Sequence, residues 1–501
     1  MDRRSFLKTG LATGSLGLLG SCVFRPSSGD DRNVRPDDRA DGGTRSTPST
    51  STQPTTDPPG SGSEPDYRDQ IEFDRILDGV SDLGMDPTGS EPIDPQLSEA
   101  LTSGTLLDLP PGEYLTKERH TVEGLERWGM RGRGSTRSET RILPPEGAGL
   151  FFLNVRSGSD VLVQNLTFDV RSDRGAWMNN TFKLSDGLRL QDIEYAGFYA
   201  TEVTGQKVNP SSIITGPLHV HITDPEGVGR IDTLVRRGPT HHAVYPKGTS
   251  CLFVGGEASV GRLVIKNSHI ENMSSHGIYA SRTRGPIQIE NTVFKNNNGA
   301  GCRISGSNSY IEDSEIVMDA DEILQGTIGD RFNSLTTGMW FESGFRTQAG
   351  GRMSDCEIRL GTVPDRVRGI EIDGSAGRTT VENTSISLEG SAVRPLDVNQ
   401  PGQQGARVRT EGATPPNPRV NLRNLTITGP ASGPGGAIDL VGRPGSTIEN
   451  CTLDISARDV AISIRNANYY LISGTDIQLA GGGAGVAARG SVGGRITNTS
   501  I

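Results

Sequence analysis

The sequence predicts an all-β chain whose short strands wind into a solenoid. Three observations carry this. Segments 263–281 (LVIKNSHIENMSSHGIYAS) and 286–305 (PIQIENTVFKNNNGAGCRIS) match position for position: an alternating apolar run leads to Asn267 or Asn291, and a second short run carries Ile270 or Phe294. A polar stretch follows, then Gly277-Ile278-Tyr279 or Gly301-Cys302-Arg303. The polar turn position recurs down the chain at Asn165, Asp192, Asp232, Asn267, Asn291, Asp313, Asp355, Asn383, Asn424, Asn450 and Asn498, with Gly474 as a degenerate copy. The step from Asn267 to Asn291 is 24 residues. That is too short for a strand–helix–strand unit with a packed helix, and it suits three short strands joined by tight turns, one coil of a repeat array.

Asn and Asp suit the repeated turn because their side chains bond local backbone and tolerate the left-handed conformation. The longer intervals, 313 to 355 and 383 to 424, read as one coil plus a loop insertion. On these residues the repeat resembles the right-handed parallel β-helix proteins, the superfamily of pectate lyases, polygalacturonases and related polysaccharide-acting proteins, over roughly residues 105–501. The resemblance implies three-strand coils in about 11–14 rungs behind a short N-terminal helical cap. It also implies an active site on the strand that carries Gly277-Ile278-Tyr279 and its equivalents.

The chain begins MDRRSFLKTGLATGSLGLLGSC. Arg3-Arg4 before Ser5-Phe6-Leu7-Lys8 resembles a twin-arginine export signal. Residues 9–21 are apolar but too few to span a bilayer. Leu19-Gly20-Ser21-Cys22 resembles a lipobox, so Cys22 is expected to be lipidated and to anchor the protein at the cell surface. Residues 23–68 are rich in Ser, Thr, Pro, Gly and Asp and bury too little surface to offset their ordering entropy, which makes them a tether. In the helical lead-in, 69–104, Ile71, Ile76, Leu77 and Val80 predict a helix over 69–83, and a second runs from Pro95 to Leu101. A helix here covers the first coil's open edge. The motifs from Asp86-Pro87-Thr88-Gly89 through Leu109-Pro110-Pro111-Gly112-Glu113-Tyr114 resemble the start of pectate-lyase-like domains. Arg131-Gly132-Arg133-Gly134 lacks the lysine and spacing of a phosphate loop. At the far end Ile501 stands inside a coil, and the expectation is that self-association or ions manage that edge, or that the end frays.

The formal net charge is −10, and the 50 basic residues comprise seven Lys and 43 Arg. The acidic balance excludes a general nucleic-acid binder, and the scarcity of Lys resembles exported proteins of salt-loving archaea. Cys251, Cys302, Cys356 and Cys451 are widely spaced, match no metal pattern and are expected to be buried free thiols.

Strand alternation assigns the faces. Ile278 and Ala280 point in; Tyr279 and Ser281 point out. Carried along the chain, this register yields one outward column of Lys183, His219, Tyr245, Tyr279, Arg303, Trp340, Glu371, Arg394 and Asp439. A second column reads Ser185, His221, Lys247, Ser281, Ser305, Glu342 and Asp373. With coils about 4.8 Å apart the columns form a stripe of rings, bases and carboxylates, suited to stacking on sugars and bonding hydroxyls. Glu342, Glu371 and Asp373 form a carboxylate cluster able to divide acid and base roles in glycoside hydrolysis; the alternative is a solvated acidic ladder. Ser275-His276-Gly277 partly matches the Gly-His-Gly of polygalacturonases, and His276 is a candidate base. Arg303 is the candidate lyase base that the resemblance implies; its alternative is a surface arginine. Tyr245, Tyr279, Trp340 and His242 are candidate glycan contacts. His219, His221 and His242 have no further ligand set by a motif, and no compact Asp cluster near Arg303 supports Ca²⁺. The expected partner is a polysaccharide or glycan. Two functions stay open: a lyase or hydrolase acting on extracellular polysaccharide, and a non-catalytic glycan- or envelope-binding surface protein.

Overall fold

The computed structural model describes residues 71–501 except 147, 171–176, 200–215, 239, 241–247, 323–335, 345–349, 364–366, 391–392, 403–413, 416, 432–434, 457–459 and 481. Arg3, Arg4 and Cys22, with the tether, lie outside the described residues, as do His242, Tyr245 and Lys247.

The repeat is a coil in three dimensions. Val264 of strand Arg262–Lys266 stands beside Gln288 of Ile287–Glu290, His269–Glu271 beside Val293–Lys295, and His276–Arg282 beside Ala300–Ile304. Each strand of one coil therefore pairs with its equivalent in the next, and every ladder between described strands is parallel. The strands sort into a 13-stranded sheet and a 26-stranded sheet. The larger comprises two stacks, joined where the long strand Val228–Arg236 bends and pairs with both Arg262–Lys266 and His269–Glu271. The chain is a right-handed parallel β-helix.

One inward column from each stack fills the core. Ile265, Ile289, Ile311, Met353, Val381 and Leu422 stand on successive rungs. Ile270, Phe294, Ile316, Ile358, Ile386 and Ile427 form the second column. Ile278, Cys302, Met339, Ile370 and Leu396 form the third. All are fully or nearly fully buried. Strand alternation thus drives one side chain per strand into a dry stack, and burying an aliphatic side chain is worth roughly 1.5–3 kcal/mol. Cys302 belongs to this core; Cys251, Cys356 and Cys451 are buried, and all four thiols are free, as expected.

The turn ladder forms as read, with one shift. Asn165, Asp192, Asn267, Asn291, Asp313, Asp355, Asn383, Asn424, Asn450 and Asn498 have φ between +46° and +55°. At the remaining coil the left-handed residue is Thr233 (φ +63°), not Asp232. Asp232 pairs with Lys266, one residue ahead of the turn, and its carboxylate still accepts the Asn267 amide at 2.9 Å.

The lead-in departs from the expected helix over 69–83. Arg75–Asp78 is a strand paired with Thr105–Asp108, and Ile76 is 60% exposed. The Asp78 carboxylate then accepts the amides of Val80 and Ser81 at 2.9 Å each and closes a turn. Pairing with a neighbouring strand outweighed the helical spacing of four apolar residues. The one α-helix described is Asp94–Ala100, close to the second expected helix. It drives Leu97 and Ala100 into the first coils, and Trp128 Nε1 donates to the Ala100 carbonyl at 2.9 Å.

Candidate functional site

The 13-stranded sheet carries the stripe. Pairing sets Phe253, Tyr279, Arg303, Trp340, Glu371, Asp397, Asp439 and Ser463 on successive rungs of one outward column. Met339, Phe341, Ile370 and Ile372 alternate with them and point into the core. The register read from sequence therefore holds through Tyr279, Arg303, Trp340, Glu371 and Asp439.

It slips at the rungs that flank insertions. Thr181, not Lys183, stands beside His219; Lys183 pairs with His221 in the neighbouring column, displacing Ser185. Phe253 stands beside His219 and Tyr279, at the rung expected of Tyr245, which lies outside the described residues. Asp397, not Arg394, stands beside Glu371, and Arg394 instead pairs with Arg368. Counting residues across a loop of unknown length loses register, and a one-residue slip exchanges the faces. A legible signal existed: Pro395-Leu396-Asp397-Val398 repeats the pattern of Gly369-Ile370-Glu371-Ile372.

The expected exposure is overturned. Trp340 is 5% exposed, Glu371 4% and Arg303 1%, although all point away from the coil interior. Long side chains on rungs about 4.8 Å apart cover one another. The Arg303 guanidinium lies 4.5 Å from the Tyr279 ring centroid and 4.1 Å from that of Trp340, sandwiched between rungs. His276 completes the cluster, its ring 4.9 Å from Tyr279 and 6.4 Å from Trp340. A solvated acidic ladder and a surface arginine are thereby excluded.

Arg303 and Glu342 form a buried ion pair: Nε donates to Glu342 Oε2 at 2.6 Å, Nη2 reaches the same oxygen, and Ser281 Oγ adds a bond at 2.7 Å. Arg303 Nη1 lies 3.2 Å from His276 Nε2. A guanidinium only donates, so Nε2 is assigned as acceptor and Nδ1 carries the proton. Burial, then the cations Arg303 and Arg282, hold His276 well below its usual range and keep it neutral.

Glu371 Oε2 accepts from Thr337 Oγ1 at 3.2 Å, Oε1 accepts from Asn399 Nδ2 at 3.1 Å, and Arg368 Nη1 lies 3.6 Å away. Burial pushes its carboxyl up to about 7; Arg368 opposes this, and the carboxylates Asp373 and Asp397 add to it. Asp397 is held by Arg368 Nε at 2.6 Å and Arg394 Nη1 at 3.0 Å. Asp373 Oδ1 accepts the Ser375 amide at 2.8 Å and its hydroxyl at 2.7 Å. Asp439 is paired with Arg465 through Oδ2 at 2.6 Å. Among the described residues, buried polar atoms on this face without a protein partner include Ser305 Oγ, Trp340 Nε1, Asp439 Oδ1 and Arg394 Nε. Asp397, Asn399, Thr337 and Arg368 escaped the sequence reading because their roles come from neighbours 28 to 34 residues away or from the shifted register.

Among the described residues no group of three or more His, Cys, Asp or Glu is placed to hold a metal ion. Ring faces of Tyr279 and Trp340 are taken by Arg303, so on that side they do not offer the sugar-stacking surfaces expected of them.

A family model described as "right handed beta helix region" matches residues 250–394. No curated protein matches the chain by sequence. Among solved structures, the A-module of a mannuronan C-5 epimerase from Azotobacter vinelandii is 16% identical, with 84% of this chain and 98% of that one covered and a TM-score of 0.45. The catalytic unit of an α-1,3-glucanase from Streptomyces thermodiastaticus is 13% identical, with 85% and 68% covered and a TM-score of 0.42. A family 28 exopolygalacturonase from Yersinia enterocolitica is 11% identical, with 85% and 78% covered and a TM-score of 0.33.

Proposed function

We propose that this parallel β-helix acts on a polysaccharide by carboxylate acid–base chemistry of the glycoside hydrolase type, with Glu371 as the acid and Asp373 as its partner. One observation carries the reading. A buried carboxyl raised to about 7 sits two residues from a second carboxylate on the same strand end, on a face with unpartnered buried polar atoms. Alternate strand residues are about 6.6 Å apart, which suits two carboxylates that divide acid and base work across one bond. A carboxyl that holds its proton near neutrality is matched to protonating a leaving oxygen. Trp340 Nε1, Ser305 Oγ and Asp439 Oδ1 are short of partners that sugar hydroxyls supply. An unmade buried hydrogen bond costs roughly 1–3 kcal/mol, and a bound glycan recovers it.

The lyase role for Arg303 has less support. Its guanidinium is committed to Glu342, and a cation in such a pair does not take up a proton. In this reading Arg303, Glu342 and His276 build the rigid wall that presents Trp340. The same sealed wall favours a second reading, a glycan-binding surface protein without turnover. Purified protein incubated with a panel of neutral and acidic polysaccharides, scored for new reducing ends and for unsaturated products, separates the readings. New reducing ends without unsaturation support the hydrolase, unsaturation supports a lyase, and binding without either supports the binder.

The location belongs to the same proposal. Arg3-Arg4 and Cys22 support export and lipid anchoring at the cell surface, beside an extracellular glycan. Cys22→Ser is expected to release the protein into the medium; a variant that stays with the membrane fraction argues for an uncleaved anchor.

A further inference from the structure

Arg443 is fully buried, yet its four hydrogen bonds all go to main-chain carbonyls. Nη2 donates to Asp373 O at 2.7 Å, Nη1 to Ala376 O at 2.8 Å and Pro418 O at 2.9 Å, and Nε to Asn399 O at 2.9 Å. Its acceptors lie 25 to 70 residues away along the chain. They mark the corners that follow strands Arg368–Ile372 and Arg394–Val398 and precede Val420–Arg423, while Arg443 follows Ile438–Val441. One planar fork thus staples the corners of three successive rungs.

A desolvated guanidinium is an expensive staple. Burial brings Arg443 down to about 10, against the pull of Asp373, so it remains charged at neutral pH. A neutral amide or hydroxyl would satisfy one or two of these carbonyls at less cost. The stapled residues explain the choice. Asp373 is one of the carboxylates that raise Glu371, and Asn399 donates its side-chain amide to Glu371 Oε1. Arg443 holds the backbone of both. No carboxylate is needed on Arg443 itself, because four carbonyls in a fixed fork define position better than one salt bridge.

We propose that Arg443 is a positioning residue for the carboxylate pair: by clamping the carbonyls of Asp373 and Asn399 it sets where both side chains stand against Glu371. This rests on the acid–base reading of Glu371 for its catalytic meaning, but not for its test. The protonated Glu371 carboxyl is followed in the full-length chain by difference infrared spectroscopy, through the C=O band that disappears in Glu371→Gln. In the wild type, Asp373→Asn is expected to lower the Glu371 midpoint, since a repelling carboxylate is lost. In an Arg443→Lys background, where a compact ammonium cannot span four carbonyls, that lowering is expected to shrink by at least half. A merely structural arginine lowers the melting temperature and leaves the Asp373-dependent shift intact; that result overturns the proposal. If Arg443→Lys does not fold, the same comparison is made in Arg443→Gln, whose neutral amide keeps one or two of the carbonyl bonds, and an Asp373-dependent shift of unchanged size overturns the proposal as well. Where a glycan is turned over, Arg443→Lys is expected to lower kcat by 10- to 100-fold with KM within a factor of about three. If the wild type turns over no glycan, the acid–base reading fails while the titration still decides the role of Arg443.

Discussion

Two edges of the same coil follow opposite rules. Along the turn ladder the residue type barely changes and the side chains form chains of equivalent bonds: Asn291 to Asn267 at 2.7 Å, Asn383 to Asp355 at 3.0 Å, Asn424 to Asn383 at 2.9 Å. These contacts are exposed and individually small. On the 13-stranded sheet the outward residue changes at every rung, from Tyr279 to Arg303, Trp340, Glu371 and Asp397, and the charges are buried. A coil needs the same left-handed turn each time, so geometry alone accounts for the ladder. Nothing in the geometry of a strand requires a buried Arg–Glu pair or a carboxyl raised to about 7, and both cost folding energy. Irregularity that costs stability is what separates the sheet face from the turn ladder.

Several substitutions break or sharpen that contrast. Glu371→Gln keeps shape and removes the exchangeable proton, so turnover is expected to fall about 10³-fold, while glycan binding by calorimetry stays within a few-fold; full activity would remove Glu371 from the mechanism. Next in size is Glu342→Ala, which strands Arg303 in a buried site and is expected to cost about 3–5 kcal/mol in urea unfolding. A loss under about 1 kcal/mol would mean that the pair is solvated.

The pH dependence of stability carries its own sign. Glu371 binds its proton more tightly folded than unfolded, so its protonation supports folding in full below about pH 4.5, and that support is lost as pH rises toward about 7. Wild type is therefore expected to lose up to about 3 kcal/mol from this group between those limits. Glu371→Gln is expected to flatten the profile and to be the more stable protein at pH 8. A parallel profile in the two proteins would contradict the raised carboxyl.

Smallest are the effects on the ladder. Asn291→Ala loses the bond to Asn267 and places Ala at φ +46°, for roughly 1–2 kcal/mol in unfolding experiments. Gly474 has φ +60°, and a Cβ there would lie 2.4 Å from Asn450 Oδ1, the tip of a side chain able to swing. Gly474→Asn is expected to change stability by less than about 1 kcal/mol, whereas an equal change on the sheet face would show that the two edges do not differ in kind.

The sequence by itself determined the period, the strand alternation and the left-handed turns, because each depends on a few adjacent residues. Asn267 and Asn291 announce their turns, Ile278 and Cys302 announce the core, and Tyr279, Arg303, Trp340 and Glu371 keep their outward register because each stands two residues after a glycine of the repeated strand, Gly277, Gly301, Gly338 and Gly369. Where that glycine is missing, with Cys251 before Phe253 and Pro395 before Asp397, residue counting fails, and only the paired strands assign the rung. The helix expected over 69–83 failed for a related reason: whether Arg75–Asp78 finds a strand to pair with depends on Thr105–Asp108, 30 residues away. Burial was the least legible property. Alternation says that Trp340 points away from the coil, but not that Arg303 and His276 lie against it, nor that Arg443 reaches the corners holding Asp373 and Asn399. Those contacts join residues 27 to 70 positions apart, and only the stacking of rungs decides which of them meet.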